Sequence, residues 1–223
     1  MAVETYRFGT LEIVPMQLGM VQTNTYLVGD PESGSAIVID PAWQGDRIAR
    51  MAADRGWRIG TIWLTHAHFD HFGGAAGVAD AYDVPVPVAL HSLDQPLWRA
   101  MGGAALFGMS AFDPGPEPTI DLQHGTQLRL GGERFEVRHT PGHTPGHVIF
   151  VGSDLGAVFC GDLIFQHGVG RTDLPGGSWE RLLESIRDEI LTLPDMTMLF
   201  SGHGPATTVG EERRANPFLQ MSS

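Results

Sequence analysis

The chain has 223 residues, 42% of them hydrophobic, which suits one domain or a compact two-layer architecture with a sizeable core. Its formal charge is -12 and all 14 basic residues are arginine, so it offers no basic track for nucleic-acid phosphates. No stretch approaches the ~20 apolar residues of a membrane span. Met1 to Tyr6 lack the basic and apolar regions of an export signal, and the lone Cys160 cannot make an internal disulfide. A cytoplasmic protein with neither nucleic-acid nor membrane partners is expected.

Residues 3 to 40 read as strands. Phe8, Leu11, Ile13 and Val14 form an extended run, and Thr25–Val28 and Ala36–Ile39 flank a turn rich in Asp, Pro and Gly, the signature of a hairpin. Asp40-Pro41 ends the second run. Gln44 to Arg55 has helical spacing, with Ile48, Met51 and Ala52 on one face, and Gly56 stops it. Strand 61–64 follows, then a helix over Gly73 to Tyr82. Val84 to Leu90 reads as a strand whose Pro85 and Pro87 suggest an edge. Ser92 to Met101 looks helical. Gly102 to Pro118 breaks every period and is either a segment that packs near a pocket or a plain surface loop. Strands near 127–130, 134–139, 147–151 and 156–160 come next. A helix over Trp179 to Leu193 presents Leu182, Leu183, Ile186 and Ile190 on one face. Met198–Phe200 is a last strand, and Thr208 to Ala215 a short helix. Two sheets in a sandwich with helices outside satisfy this order, an α/β protein.

Four loops after strand-like runs carry candidate metal donors. The first, following Thr61–Leu64, holds His66, His68, Asp70 and His71 within six residues. Imidazole and carboxylate are good ligands for zinc or iron at neutral pH. The second is Thr140-Pro-Gly-His143-Thr-Pro-Gly-His147, whose Pro-Gly pairs fix sharp turns around His143. The third places Asp162 after Ala157–Phe159, and the fourth sets His203 between Gly202 and Gly204. The other histidines read first as structural: His139 and His147 as hydrogen-bonding groups near the site, His91 and His124 as surface or turn residues, His167 as pocket lining. Cys160 ends a strand and is expected to be buried packing.

This constellation resembles the metallo-β-lactamase superfamily over nearly the whole chain. The pattern HxHxDH, then a separate His, a separate Asp and a last His, is filled in order. The resemblance implies an αββα sandwich of two mixed β-sheets with helices on the outer faces. It also implies two divalent metal ions, zinc first and iron or manganese as alternatives. The first would take His66, His68 and His143, the second Asp70, His71 and His203, with Asp162 bridging. Three protein donors each plus a shared oxygen leave room for a water, the open coordination of a catalytic site. Asp70 and Asp162 are the implied catalytic carboxylates, working with a metal-bridging hydroxide.

Within the superfamily, Gly161 to Asp173 is similar to the glyoxalase II group, where a basic residue after the bridging aspartate holds part of the thiol carrier. Arg171 stands at that place, either as a substrate-binding fork or in a salt bridge with Asp173. Two-domain glyoxalase II enzymes add a C-terminal helical domain. Only residues 204–223 follow His203 here, so residues 1–223 read as a single metallo-β-lactamase-fold domain without it. The reading is a glyoxalase II-like hydrolase of S-acyl thioesters, acting on a small-molecule 2-hydroxyacyl thiol. Self-association into a homo-oligomer is left open. Gly170-Arg171-Thr172-Asp173 is also similar to the persulfide dioxygenases, which hold one iron on the equivalents of His66, His143 and Asp162. A promiscuous lactonase or β-lactamase-like hydrolase is the further alternative. A metal-binding scaffold without activity is the weakest, since no ligand has been lost.

Overall fold

The computed structural model describes residues 5–220. Seven strands form the first sheet in chain order: β1 (Tyr6–Phe8), β2 (Leu11–Leu18), β3 (Thr23–Gly29), β4 (Ser35–Ile39), β5 (Arg58–Trp63), β6 (Val88–Leu90) and β7 (Ile120–Asp121). The first four pair antiparallel and the last four parallel. The second sheet contains β8 (Gln127–Leu130), β9 (Glu133–His139), β10 (Val148–Gly152) and β11 (Ala157–Gly161). A separate ribbon, β12 (Ile164–Phe165) with β13 (Gly168–Val169), leads on to β14 (Met198–Ser201) and β15 (Thr207–Thr208). The second sheet runs β15-β14-β11-β10-β9-β8, and only its β11–β14 pair is parallel.

Side chains alternate across each pleat, so one strand serves two cores. Between the sheets lie Ile37, Ile39, Trp63, Phe135, Phe150, Phe159 and Phe200. Trp63 packs against Phe135 and Phe150 with ring centroids 5.5 and 5.1 Å apart, and Tyr26 against Phe159 at 5.2 Å. Val38 and Ile62 point the other way, toward Ile48 and Ala52 of helix α1 (Gly45–Ala53) and toward Phe72 and Trp98. On the far side Ile149, Val151 and Val158 pack against Leu182, Ile186 and Ile190. The result is the expected αββα sandwich. No helix among the described residues is long and apolar enough to cross a membrane.

Several expected elements change shape. A one-turn helix α2 (Phe69–Phe72) begins inside the histidine loop, and the helix expected from Gly73 shrinks to α3 (Ala75–Ala79). Proline lacks an N–H, so the strand expected from Val84 starts only at Val88. β6 is also not an edge: the two-residue β7, which the sequence does not reveal, covers it. The helix expected from Ser92 is a 3-10 turn at Ser92–Asp94 and then α4 (Gln95–Arg99). Helix α5 (Trp179–Ser185) continues as a π-turn through Ile190. Helix α6 (Val209–Ala215) lies where it was expected, followed by α7 (Pro217–Gln220). Cys160 is buried in the outer core beside Val158, as expected, and burial pushes its thiol up to about 12.

The inter-sheet aromatic layer forms the core between the two sheets. Phe150→Ala should cost about 3–5 kcal/mol in urea unfolding, while Met196→Ala, at an 82% exposed position, should stay within about 0.5 kcal/mol. Equal losses at the two positions would contradict this placement of the core.

Candidate metal centre

The donors sit on loops at one rim of the sandwich, mostly beyond C-terminal ends of strands. His66 and His68 follow β5, and α2 then turns Asp70 and His71 inward. His143 lies in the β9–β10 connection, Asp162 follows β11, and His203 follows β14. Ligand atoms of three groups lie within 4.8 Å of one another: His66, His68 and His143; His66, His71 and Asp162; Asp70, His71 and His203. All seven residues expected from the sequence therefore come together. All except His203 are buried.

The hydrogen bonds around the cluster fix which nitrogens face it. Thr65 Oγ1 donates to Asp40 Oδ2 at 2.6 Å, so it accepts from His66 Nδ1–H at 3.0 Å. His143 Nδ1–H donates to the Arg171 carbonyl at 2.7 Å. The remaining nitrogens, His66 Nε2 and His143 Nε2, are then lone pairs 3.2 Å apart. His68 Nδ1 lies 2.8 Å from the same His143 nitrogen. His71 Nδ1 donates to Asp40 Oδ2 at 2.9 Å and turns Nε2 toward Asp162 Oδ1, 3.4 Å away. These last two atoms are buried without a hydrogen-bond partner. The lone pairs of His66 and His143 face each other in a buried site and repel, and a cation reconciles them; between His71 Nε2 and Asp162 Oδ1 a proton or a cation does the same. The donor set thus fits divalent ions on an observation independent of the sequence motif.

Charge states agree with that fit. Burial holds His66 and His68 below the usual imidazole range, helped by neighbouring histidines, and His68 falls to about 3. Burial likewise lowers His143. Burial works against ionisation of Asp70 and Asp162, but His71 and His203 together, with His143 at Asp162, outweigh it, so both are depressed, Asp70 to about 2. His71 is also opposed by burial, yet Asp162, Asp70 and Asp40 raise it. A proton on its Nε2 stands where a cation would, and an ion entering the site displaces it.

Two carboxylates that the sequence reading missed support these loops. Asp40 holds Thr65 and His71, and its place directly after a strand was the available signal. Asp94 accepts from Ala67 N at 3.0 Å, Thr144 Oγ1 at 2.7 Å and Gly146 N at 2.6 Å. It lies in a stretch that reads as plain helix, which hides it. Thr23 Oγ1 donates to Asp70 Oδ2 at 2.8 Å. Gly202 is required where it stands, since a Cβ there would collide with Asp162 Oδ1.

The other histidines sort as follows. His147 is buried behind Asp162: its Nε2 accepts from Asp162 N at 3.2 Å, and its Nδ1 meets the Thr140 hydroxyl at 2.9 Å. His139 Nε2 donates to the Pro145 carbonyl at 2.8 Å, and its ring stacks on His91 at 4.4 Å. His124 Nδ1 accepts from His139 N at 3.3 Å. His91 is not on the surface but buried, capping the 3-10 turn. His167 does not line the pocket; it points away to Glu211, 3.4 Å distant, because proximity to Asp162 in sequence is not proximity across the β12–β13 ribbon.

Above the donors is a cleft of about 180 Å³ with apolar walls from Val21, Phe69, Phe107 and Leu174 and a single cation, Arg171. Phe107 belongs to the 3-10 segment Met101–Phe107, so the irregular stretch after Gly102 does pack against the pocket. Its ring lies 5.3 Å from Phe69 and 5.9 Å from the Arg171 guanidinium. Arg171 also donates to both oxygens of Asp173, at 2.7 and 2.8 Å. Its side chain thus lies at the cleft and in a salt bridge at once.

Comparisons with known proteins match this fold. The pattern of the Metallo-beta-lactamase superfamily covers residues 18–203. The hydroxyacylglutathione hydrolase GloC of Haemophilus influenzae is 36% identical over 96% of this chain and 99% of its own. Among solved structures, the B3 metallo-beta-lactamase BLEG-1 superposes with a TM-score of 0.85 at 36% identity, covering 93% of this chain and 99% of its own. TTHA1623, solved in a di-iron-bound form, gives 0.82 at 42% identity, covering 92% and 99%.

The lowered His68 has a measurable consequence in chelator-stripped protein. Its folded pKa lies below the ordinary 6.5, so the unfolded chain binds the proton first, and stability is lost as pH falls from about 6.5 toward 3. Between pH 7 and 5 the loss should be about 1–2 kcal/mol smaller in His68→Asn than in the native chain. Matching slopes of urea midpoint against pH in the two proteins would refute a buried neutral imidazole at 68.

Proposed function

The chain belongs to the metallo-beta-lactamase superfamily and is a metallo-hydrolase of the hydroxyacylglutathione hydrolase-like kind; from that premise we propose that it cleaves S-acyl thioesters of 2-hydroxy acids. The observation that carries the reading is the convergence of seven donors around unpartnered buried atoms. His66, His68 and His143 would hold one divalent ion and Asp70, His71 and His203 a second, with Asp162 shared. When bound, such a pair supplies an activated water near neutral pH and Lewis-acid polarisation of a carbonyl oxygen. Zinc is the first choice of metal, and the di-iron form of TTHA1623 supports iron as well.

The chain's own residues do the rest. The Arg171 carbonyl and Thr65 hydroxyl lock two imidazole tautomers, so His143 and His66 meet the site with lone pairs and need no reorganisation. The Thr23 hydroxyl orients the Asp70 carboxylate. Val21, Phe69, Phe107 and Leu174 give the cleft apolar walls that suit an acyl chain. Among the described residues no tyrosine lines it. A thiol of pKa ~8.5 leaves as its anion without a strong general acid, whereas an alkoxide does not. That contrast favours a thioester over a lactone. Arg171 would exchange Asp173 for a carboxylate of the thiol carrier, a bidentate exchange on an exposed fork.

The Gly170–Asp173 segment favours one second reading, a persulfide dioxygenase with a single iron on His66, His143 and Asp162. Protein purified without added metal should carry close to two divalent ions per chain and cleave thioesters without consuming oxygen. One iron per chain, with oxygen uptake on glutathione persulfide, overturns the hydrolase. Arg171→Ala should raise KM for an acidic thioester roughly 10-fold or more, with kcat little changed; an unmoved KM removes Arg171 from substrate binding.

A further inference from the structure

The three imidazoles of the first metal group come from only two loops, 65–71 and 140–147. A buried carboxylate outside the ligand set, Asp94, lies between them. Asp94 Oδ2 accepts from Ala67 N, between His66 and His68, and from Thr144 Oγ1, next to His143. Asp94 Oδ1 accepts from Gly146 N. Gly146 lets the second loop come this close, because a Cβ there would sit 2.7 Å from Asp94 Oδ1. No cation takes part in any of these three bonds. The carboxylate is fully buried and is not among the clustered ligand atoms. Below it, Val148 N donates to the Thr65 carbonyl and joins the strand ends. Asp94 joins the loops themselves, one residue from each imidazole.

We propose that Asp94 is a positioning residue that sets the affinity of the His66, His68 and His143 site for its divalent ion. This rests on the ligand assignment made above. The second group is held by other means: His71 through Asp40 and Asp70 through Thr23. A defect at Asp94 therefore falls on one site and spares the other. Groups that orient ligands from behind set metal affinity by roughly 10–100-fold.

Asp94→Asn keeps the volume but replaces one acceptor with an NH2, so a donor now faces a backbone N–H. Thr144→Val removes one bond of the three and leaves the carboxylate in place. Zinc affinity is measured by competition with a chromophoric chelator, and site occupancy by cobalt(II) absorption. The native chain should bind two ions tightly. Asp94→Asn should hold one as before and the other about 10–100-fold more weakly, with Thr144→Val shifted the same way by less. Unchanged affinity at both sites in both variants overturns the inference. Equal weakening of both sites also overturns it, since a general loss of structure would do that. A native chain that binds no divalent ion overturns the ligand assignment itself. A native chain with one ion, weakened in Asp94→Asn, sustains Asp94 while ending the two-ion reading.

Discussion

The rim depends on the carboxylate of Asp40. It stands directly after β4 with a φ of 49°, a backbone region that Asp tolerates better than most residues. One oxygen takes the Thr65 amide at 2.8 Å; the other takes the Thr65 hydroxyl and His71 Nδ1. A single side chain thereby fixes the exit of β5 and the first turn of α2, the two ends of the histidine loop. It also decides polarity. With Nδ1 engaged, His71 must turn Nε2 toward Asp70 and Asp162, and with Thr65 donating, His66 must present Nε2 as a lone pair. A buried carboxylate without partners costs several kcal/mol. Here three donors compensate it, so the same bonds that stabilise Asp40 also order the donors.

Topology explains why such different loops meet. Parallel strands end their chains on the same side, and sites in open α/β sheets gather at those carboxyl ends. β4 delivers Asp40, β5 the histidine loop, and β6 the turn with Asp94; in the other sheet β11 delivers Asp162 and β14 His203. His143 is the exception, since it comes from the antiparallel β9–β10 pair. That loop needs an added tie, and Asp94 supplies it from the first sheet. The two sheets are thus coupled by apolar packing at their centre and by a carboxylate at their rim.

The layers were legible because burial on both faces leaves a strong trace: Ile37, Val38 and Ile39 alternate between two cores, and an unbroken apolar run is the result. The ligands were legible because a metal site needs particular side chains, and the motif spells them out. What supports the ligands was not. Asp94 bonds to neutral backbone and hydroxyl groups far off in sequence, and nothing in its own neighbourhood marks it. The two-residue strands β7, β12, β13 and β15 are too short to show a period. The helix expected to reach Leu193 loses its α pattern after Ser185, where the wider π-turn takes over. His167 was misplaced because a tight ribbon reverses the chain within a few residues.

Electrostatics adds a last constraint on what the cleft can bind. The chain has a formal charge of -12, so an anion is repelled at long range. Two divalent ions held at the rim would be balanced by Asp70, Asp162, Asp40 and a metal-held hydroxide, so the cleft floor would be close to neutral overall. The field of each ion would act at short range, beside the apolar walls of Val21, Phe107 and Leu174. A neutral thioester carbonyl approaches without penalty and gains most as negative charge develops on its oxygen. A thiolate then leaves past the same apolar walls, which tolerate a soft, polarisable anion better than a hydroxylic one. Strongly anionic substrates have only Arg171 to receive them, and that fork is already shared with Asp173. Arg171 therefore sets how much charge a substrate can carry in, while the metal site acts on the charge that develops during the reaction.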